Sequence, residues 1–265
     1  MCTAYIENLT VTAKLARGSK TIVNRMSFHT ETGETLGIIG QSGCGKTMTA
    51  LSIFGLLPDN CSASGSAVIG GVDMLALSGR ELSRLRGRKI VYIPQSGADF
   101  LNPSLKIKTH LYETLQRLKI AGALRREVAL TLLRSAGFME PEAVMDKYPF
   151  QLSGGMAQRV VLALGLAGQP NLVIADEPTR GIDRSSAIQF VQLVKTSFPS
   201  SAVIVITHDI SLARLCDKLL VMHNGTKVEY GDAETVIKTP MHEYTRSLLA
   251  AMPDQWEKRE SSGDA

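Results

Sequence analysis

TLGIIGQSGCGKT, residues 35–47, joins a nearly continuous apolar run to a turn that is rich in glycine. The apolar run is typical of a strand that is buried on both faces of a sheet. GQSGCGKT, residues 40–47, has the spacing of a Walker A phosphate-binding loop. MTALSIFGLL continues from it as a helix that we expect to end near Pro58. A strand, a glycine loop and a helix in this order predict a P-loop nucleotide-binding core.

Each residue type in this loop suits the binding of phosphate. Glycines let the backbone curl closely enough to offer N–H groups to phosphate oxygens, and the following helix adds the positive end of its dipole. A chance glycine-rich turn is the alternative, which the flanking strand and helix disfavour. Lys46 is expected to reach the β- and γ-phosphates, and Thr47 to ligate Mg²⁺. The predicted nucleotide-binding residues are Gly40, Ser42, Gly43, Cys44, Gly45, Lys46 and Thr47.

Around this core the sequence alternates between strand and helix patterns. AYIENLTV and TIVNRMSFHT read as antiparallel strands, SGSAVIG as a short strand, and KIVYIP, NLVIAD, AVIVITHD and LLVMHNG as further strands of the core. Residues 106–147 are helical in period, and HLYETLQRLKIAG and RREVALTLLRSAG each end at glycine. We predict an α/β fold: a P-loop NTPase core with a mostly parallel sheet, an N-terminal antiparallel β-subdomain and an α-helical insertion.

The domain organisation and composition are those of one globular unit. We expect a single domain over residues 1–254, a helical insertion at about residues 96–168 and a polar tail at residues 255–265. A net charge of +4 with scattered Lys and Arg disfavours nucleic acid as the main partner. No apolar run is long enough to cross a bilayer, and no signal-peptide pattern is present. Cysteines at 2, 44, 61 and 216 show neither paired nor metal-binding spacing, so we expect a cytosolic protein.

Acidic, histidine and glutamine side chains follow three other core strands. LVIADE ends in Asp176, expected to bind the metal, and Glu177, expected to orient and polarise a water molecule. A helix-capping role is the alternative for Glu177. His208 ends VIVITHD, where a lone histidine is more often structural, and Gln95 follows KIVYIP. Because adjacent parallel strands end at one edge of a sheet, these groups could face one γ-phosphate. The predicted catalytic residues are Glu177, His208 and Gln95, and the predicted metal ligands are Thr47, Gln95 and Asp176.

LSGGMAQRV, residues 152–160, has the pattern of a second phosphate-binding turn at the start of a helix. Ser153 could be an ordinary helix N-cap, but that alternative leaves Gly154 and Gly155 unexplained.

Taken in order, these motifs resemble those of the ATP-binding-cassette (ABC) ATPases, along nearly the whole chain. The resemblance makes GQSGCGKT the Walker A loop, Gln95 the Q-loop, LSGGM the ABC signature, LVIADE the Walker B motif, Asp183 the D-loop aspartate and His208 the switch histidine. It implies ATP and Mg²⁺ as ligands. It also implies that two cassettes meet head to tail, so that Ser153, Gly154 and Gly155 close over the γ-phosphate held by the partner. Together with Asp183, these residues complete the nucleotide-binding set that the resemblance implies.

KYPFQLSGGMAQR, FLNPSLKIKTHLYETL and HEYTRSLLAAMP are similar to the oligopeptide, dipeptide and nickel importer branch. The Cys-rich C-terminal extension of many peptide-type members is not found, which makes nickel and metallophore members the most similar. The resemblance implies an ATP-hydrolysing subunit that energises import of nickel, a metal chelate or a peptide. Implied partners are a second ABC ATPase subunit (a paralogue rather than a copy), two transmembrane permease subunits and, indirectly, an extracytoplasmic substrate-binding protein. The implied location is peripheral, on the cytoplasmic face of the inner membrane.

Two positions depart from the family pattern. Ala13 stands near where an aromatic residue usually stacks on adenine, and Arg17 could stack instead. The D-loop reads TRGID, so Arg180 and Gly181 are expected to alter communication between the two sites.

The Q-loop, residues 96–104, contains the apolar residues Phe100 and Leu101. They either dock a membrane subunit or pack locally.

Two other functions remain open from the motifs. A soluble ABC ATPase could serve a non-transport assembly, in cluster assembly or phosphonate metabolism. No heptad run and no second cassette are present, which disfavours DNA repair and translation roles. A P-loop kinase is the other alternative, and the signature motif argues against it.

Overall fold

The computed structural model describes residues 4–251, which form two β-sheets and the helices around them. The strands are β1 (Ala4–Leu15), β2 (Gly18–Thr30), β3 (Thr35–Ile39), β4 (Cys61–Ile69), β5 (Val72–Asp73), β6 (Ile90–Ile93), β7 (Leu172–Asp176), β8 (Ala202–Ile206), β9 (Lys218–His223) and β10 (Thr226–Asp232). The helices are α1 (Lys46–Phe54), α2 (Gly79–Leu85), α3 (Gly97–Phe100), α4 (Ile107–Arg117), α5 (Arg125–Ser135), α6 (Pro141–Met145), α7 (Gly154–Leu166), α8 (Arg184–Ser197), α9 (Ile210–Ala213), α10 (Ala233–Lys238) and α11 (Glu243–Ala250). Cys2 and the predicted polar tail at residues 255–265 lie outside the described residues.

A six-stranded sheet forms the centre of the molecule, in the order β10–β9–β3–β8–β7–β6. Neighbouring strands are parallel except for β10 with β9. The apolar runs are buried on both faces, as predicted, because side chains alternate across a strand. In β7, Leu172 and Ile174 join one buried cluster with α1, while Val173 and Ala175 join the cluster that contains α7 and α8. The predicted mostly parallel core is therefore confirmed.

A second sheet of four strands, β2–β1–β4–β5, is antiparallel as predicted. It is larger than the sequence suggested, since β4 is nine residues long and pairs with β1 from Ala4 to Ala13. Two of its strands therefore follow the phosphate loop in sequence. Its apolar face covers α1, where Ile6, Val11 and Phe54 lie in the same buried cluster.

The predicted helical stretch contains α3 to α7, but two predicted helix ends are wrong. Helix α1 ends at Phe54 and not near Pro58, because Gly55 adopts a left-handed conformation and its N–H bonds back to Leu51 and Ser52. Helix α4 ends at Arg117 and not at Gly122. Lys119 takes the left-handed conformation that glycine usually adopts after a helix, with φ of 64°.

Candidate nucleotide-binding site

Four adjacent strands of the central sheet end in the residues predicted to carry chemistry. Strand β3 leads into the Walker A loop, β6 into Gln95, β7 into Asp176 and Glu177, and β8 into His208. These strands lie in the order β3–β8–β7–β6 and run parallel, so their carboxyl ends meet at one edge. The structure therefore brings the predicted groups to the same side of the sheet.

The Walker A loop needs its glycines for two different reasons. At Gly40 a Cβ atom would collide with the carbonyl of Met222, so a side chain has no room there. Gly43 has open space around it but takes φ of 80°. Gly45 takes φ of 107°, and a Cβ atom there would lie only 3.0 Å from Ile22 O. Backbone bonding fixes the loop further, because the N–H of Gly225 donates to Cys44 O at 3.0 Å.

Lys46 is buried beneath this loop. Its ammonium donates to the carbonyl oxygens of Gly40 at 2.7 Å and Gln41 at 3.1 Å. Cys44 is also buried, and desolvation raises the pKa of its thiol, although the Lys46 charge opposes this. A thiol with a raised pKa is a poor nucleophile, which agrees with the absence of Cys44 from the predicted catalytic set.

Asp176 is the most buried acidic side chain of the site, with 2% of its surface exposed. One carboxylate oxygen, Oδ2, accepts a hydrogen bond from the Tyr92 hydroxyl at 2.9 Å, and the Thr47 side chain also bonds to the carboxylate. The other oxygen, Oδ1, has no hydrogen-bond partner within the described residues 4–251. Desolvation raises the pKa of Asp176, against the opposing effect of these hydrogen bonds and of the Lys46 charge.

Gln95 faces the same cavity as Thr47 and Asp176, and Tyr92 lines it as well. The backbone of this segment is held by Gln158 in α7, whose amide donates to Pro94 O and Gln95 O, both at 3.0 Å. An aspartate oxygen, a threonine hydroxyl and an amide oxygen are all hard oxygen ligands, of the kind that Mg²⁺ prefers. The unpartnered Oδ1 of Asp176 therefore fits a divalent cation in this cavity.

Glu177 and His208 form a close pair beside the cavity. His208 Nδ1 lies 2.6 Å from Glu177 Oε2, with 61% of the histidine side chain and 16% of the glutamate side chain exposed. Glu177 also adopts a left-handed conformation, with φ of 47°, and its N–H donates to Ile206 O at 2.8 Å. A non-glycine residue in this conformation is a local strain that a functional site commonly retains. The helix-capping alternative does not describe Glu177, since Asp183 caps α8.

The signature segment begins α7, as predicted. Ser153 is the N-cap, and its hydroxyl accepts a hydrogen bond from the N–H of Met156 at 3.3 Å. Within residues 4–251, a Cβ atom added at Gly154 or at Gly155 would meet nothing within 4 Å. The fold of a single chain therefore does not require glycine at either position.

Other predicted residues lie outside the cavity. Asp183 Oδ1 accepts from the N–H of Ser186 at 3.0 Å, and this bonding lowers the pKa of Asp183. Gly181 adopts φ of 77°, a conformation that explains glycine in TRGID. Ala13 lies in β1 between Lys20 and Cys61 and is buried.

The two apolar residues of the Q-loop behave differently. Phe100 is 56% exposed and lines the cavity, whereas Leu101 is 2% exposed and packs in the hydrophobic core. Of the two alternatives for Leu101, its burial favours local packing over docking to a membrane subunit. Two further residues of the site were missed by sequence reasoning, namely Tyr92 and Gln158. Two sequence features could have indicated them: Tyr92 carries a hydroxyl within a buried strand, and Gln158 is a polar residue within the apolar stretch of α7.

The sequence matches the ABC transporter family over residues 23–180, a segment that contains the Walker A loop, Gln95, the signature and Asp176 with Glu177. This chain belongs to the ABC transporter family. The cassette therefore binds ATP and hydrolyses it, and the hydrolysis is coupled to transport.

Relatives of this ABC cassette include ATP-binding proteins of a transport system and of an import system. The oligopeptide transport ATP-binding protein OppD of Escherichia coli (strain K12) is 40% identical over 253 residues, covering 94% of this chain and 75% of the relative. The metal-staphylopine import system ATP-binding protein CntD of Staphylococcus aureus (strain NCTC 8325 / PS 47) is 34% identical, covering 92% of this chain and 91% of the relative. The predicted resemblance to the peptide and nickel importer branch is confirmed.

Solved structures of ABC cassettes share the fold. A dimeric structure of a post-hydrolysis state of the ATP-binding cassette MJ0796, bound to ADP and Pi, has a TM-score of 0.77 at 27% identity. The match covers 87% of this chain and 98% of the MJ0796 chain.

Among residues 4–251, no helix is long and apolar enough to cross a membrane.

Proposed function

We propose that this cassette is the ATP-hydrolysing subunit of an importer in the peptide and nickel class. The convergence of Thr47, Gln95 and Asp176 on one cavity, with Glu177 and His208 beside it, carries the assignment of the reaction site. ATP is the substrate, and its phosphates would lie over the Walker A loop, where Gly40, Ser42, Gly43, Cys44 and Gly45 form the cradle. Thr47 follows at the start of α1, whose dipole favours negative charge.

Each polar group has a role that its surroundings support. Lys46 supplies the buried positive charge nearest the loop carbonyls and would attract the β- and γ-phosphates. Glu177 would accept the proton of the attacking water molecule. His208 donates to Glu177 Oε2 and would hold that carboxylate towards the water. Gln95 would orient the same water molecule from the β6 side.

Thr47, Gln95 and Asp176 would hold Mg²⁺. A magnesium ion bound there would neutralise negative charge that develops on the transferred phosphoryl group. Asp176 is prepared for this by burial: its Oδ1 accepts no hydrogen bond from residues 4–251, and desolvation raises its pKa despite the opposing Lys46 charge.

The signature would act on the ATP of a second cassette. Ser153 offers a hydroxyl and the positive end of the 13-residue helix α7. Gly154 is exposed and Gly155 is half-buried, and this chain's own fold between residues 4 and 251 gives no reason for glycine at either position. Asp183 would lie near that shared boundary. We favour a paralogous cassette as the second molecule, and the dimeric form of the similar MJ0796 cassette supports a two-cassette site.

The relatives support import and leave two classes of cargo. OppD is named for oligopeptides and CntD for a metal–staphylopine complex, so a peptide, nickel or another metal chelate is the proposed cargo. Two permease subunits would span the membrane and an extracytoplasmic binding protein would deliver the cargo. The cassette would sit peripherally on the cytoplasmic face of the inner membrane.

Glu177→Gln tests the reaction site. The variant is expected to bind Mg-ATP with wild-type affinity and to hydrolyse it about 10²-fold more slowly or worse, because base and water positioning are lost together. Phosphate release and nucleotide binding measure the two effects. Glu113→Gln, on the exposed side of α4, is the matched control and should hydrolyse ATP normally. Unchanged turnover in Glu177→Gln would contradict the assignment of the base.

Cell fractionation tests the transport role. The cassette should be recovered with membranes and released by high salt or alkali, as a peripheral subunit is. Recovery in the soluble fraction, within an assembly that lacks membrane subunits, would favour the non-transport alternative. A phosphorylated small molecule in place of free phosphate would favour a kinase.

A further inference from the structure

The C-terminal helix reaches the Walker A loop, although 203 positions separate the two residues that meet. The backbone N–H of Gln41, the second residue of the loop, donates to the hydroxyl oxygen of Tyr244 at 3.1 Å. Tyr244 lies in α11, within the HEYTRSLL segment. The roles proposed above for the nucleotide site leave this segment without a function.

The tyrosine ring also packs against His223. Its centroid lies 3.9 Å from that of His223, with the two ring planes inclined by 33°. His223 is the last residue of β9 and follows Met222, whose carbonyl leaves no room for a side chain at Gly40. The hydroxyl and the ring of Tyr244 therefore both lie at the start of the phosphate loop.

The position of α11 is itself fixed by polar contacts. Glu229 of β10 accepts hydrogen bonds from the N–H groups of Met241 at 2.8 Å and His242 at 3.1 Å. The ring of His242 caps the helix by accepting from the N–H of Tyr244 at 3.1 Å. Arg246 donates to Met241 O at 2.9 Å. These hydrogen bonds hold the start of α11 in place and thereby fix the position of Tyr244.

We propose that Tyr244 is a positioning residue for ATP, which holds the first turn of the Walker A loop through the Gln41 N–H. This inference rests on the proposed ATP site. Phosphate binding requires several backbone donors of the loop at fixed positions, and a loop that is already held loses less freedom when the nucleotide binds. Loss of the hydroxyl should therefore weaken ATP binding and leave the chemical step largely unchanged.

Tyr244→Phe removes the hydroxyl and keeps the ring against His223. We expect the Kd and KM for Mg-ATP to rise about three- to tenfold, which is the range of one neutral hydrogen bond, with kcat at saturating ATP within about twofold of wild type. Hydrogen exchange at the Gln41 amide should become faster. The control is Tyr230→Phe, which removes a hydroxyl that donates to His29 O at 2.8 Å, away from the loop.

The outcomes separate this inference from the proposed function. An unchanged Kd in Tyr244→Phe, when the wild type binds Mg-ATP, overturns the positioning role alone. Equal rises in Kd for Tyr244→Phe and Tyr230→Phe also overturn it, because a general loss of stability then accounts for the effect. A wild-type chain that binds no Mg-ATP overturns the proposed site and this inference with it.

Discussion

At the scale of single residues, Asp176 shows how the site exchanges stability for function. Its carboxylate is nearly inaccessible to solvent, one oxygen accepts no hydrogen bond from the part of the chain that the structure describes, and desolvation raises its pKa. A group whose pKa is raised by folding keeps its proton in the folded chain at pH values where the unfolded chain has lost it. The contribution of Asp176 to the free energy of unfolding therefore falls as the pH rises from the pKa of Asp176 in the unfolded chain towards its higher pKa in the folded chain.

Asp176→Asn should consequently stabilise the ligand-free protein at neutral pH. The neutral amide can still accept from Tyr92 and Thr47 but carries no buried charge. We expect the melting temperature to rise by a few degrees, since 1 kcal/mol corresponds to about 2–4 °C in a domain of this size. Thermal unfolding over pH 3–8 would measure it, and the gain should vanish near pH 4 and below, where the aspartate of the unfolded chain is protonated too.

The same substitution should weaken magnesium-dependent ATP binding, because one proposed ligand loses its charge. Asp59→Asn, in an exposed loop, is the control and should change neither property. A lower melting temperature for Asp176→Asn at neutral pH would contradict the idea that the carboxylate is destabilising when no cation is bound.

The sequence predicted the residues at the strand ends and missed those that support them. A polar residue that follows an apolar strand can be recognised from the sequence alone, which is why we could identify Gln95, Asp176, Glu177 and His208. The Tyr92 hydroxyl reaches Asp176 across 84 positions, and that contact depends on the pairing of β6 with β7. The adjacency of β6 and β7 follows from the order of strands in the sheet, which local sequence patterns do not contain.

At the scale of elements, the signature helix and the Q-loop segment are joined within one chain. Gly97 starts α3, and a Cβ atom there would lie 2.7 Å from the backbone of Ala157 and of Gln158 in α7. The Gln158 amide adds two hydrogen bonds to the carbonyls of Pro94 and Gln95. The position of Gln95 in the cavity is therefore tied to the helix that begins at the signature.

Gln158→Leu should separate these two elements while keeping the side-chain volume. Two partly buried carbonyls would lose their donor, at a cost on the order of 2 kcal/mol in stability. Because Gln95 would no longer be held, we expect kcat to fall about tenfold, with the Kd for Mg-ATP changed less than threefold. Steady-state kinetics and nucleotide binding measure the two constants.

Gln116→Leu on the exposed side of α4 is the control for the added apolar side chain, and should leave kcat unchanged. If Gln158→Leu lowers the melting temperature but not kcat, the two hydrogen bonds stabilise the fold without positioning Gln95.

Element boundaries could be predicted only in part. The strands of the core were found because long apolar runs between turns leave few alternatives. The end of α4 was misjudged because Lys119 adopts the left-handed conformation usually taken by glycine, three positions before Gly122. Intrinsic preference favours glycine at such a position, but here the N–H of Ile120 donates back to Leu115 O at 2.9 Å and closes α4 with a lysine in that place.

At the scale of the whole molecule, the exposed signature predicts that one chain is half of a working unit. If the second cassette is a paralogue, purified Glu177→Gln protein should bind Mg-ATP and remain a monomer in light scattering. An ATP-dependent dimer of identical chains would support the shared site but contradict the paralogue. Either result distinguishes a heterodimeric from a homodimeric transporter.

Ser153→Arg tests the shared site directly. In tagged Glu177→Gln protein, solubilised from membranes with Mg-ATP present, a second ABC ATPase subunit should co-purify and be identified by mass spectrometry. Arginine at residue 153 should abolish that recovery without changing the Kd of the chain for Mg-ATP, because its bulk would block the partner's γ-phosphate from reaching the helix start. Ser153→Ala loses the N-cap, worth about 1 kcal/mol, without adding bulk. Ser200→Arg adds the same charge in the loop before β8, at the other end of the strands. The controls Ser153→Ala and Ser200→Arg should still co-purify the second subunit. If Ser153→Arg co-purifies it as well, the signature does not face a second nucleotide.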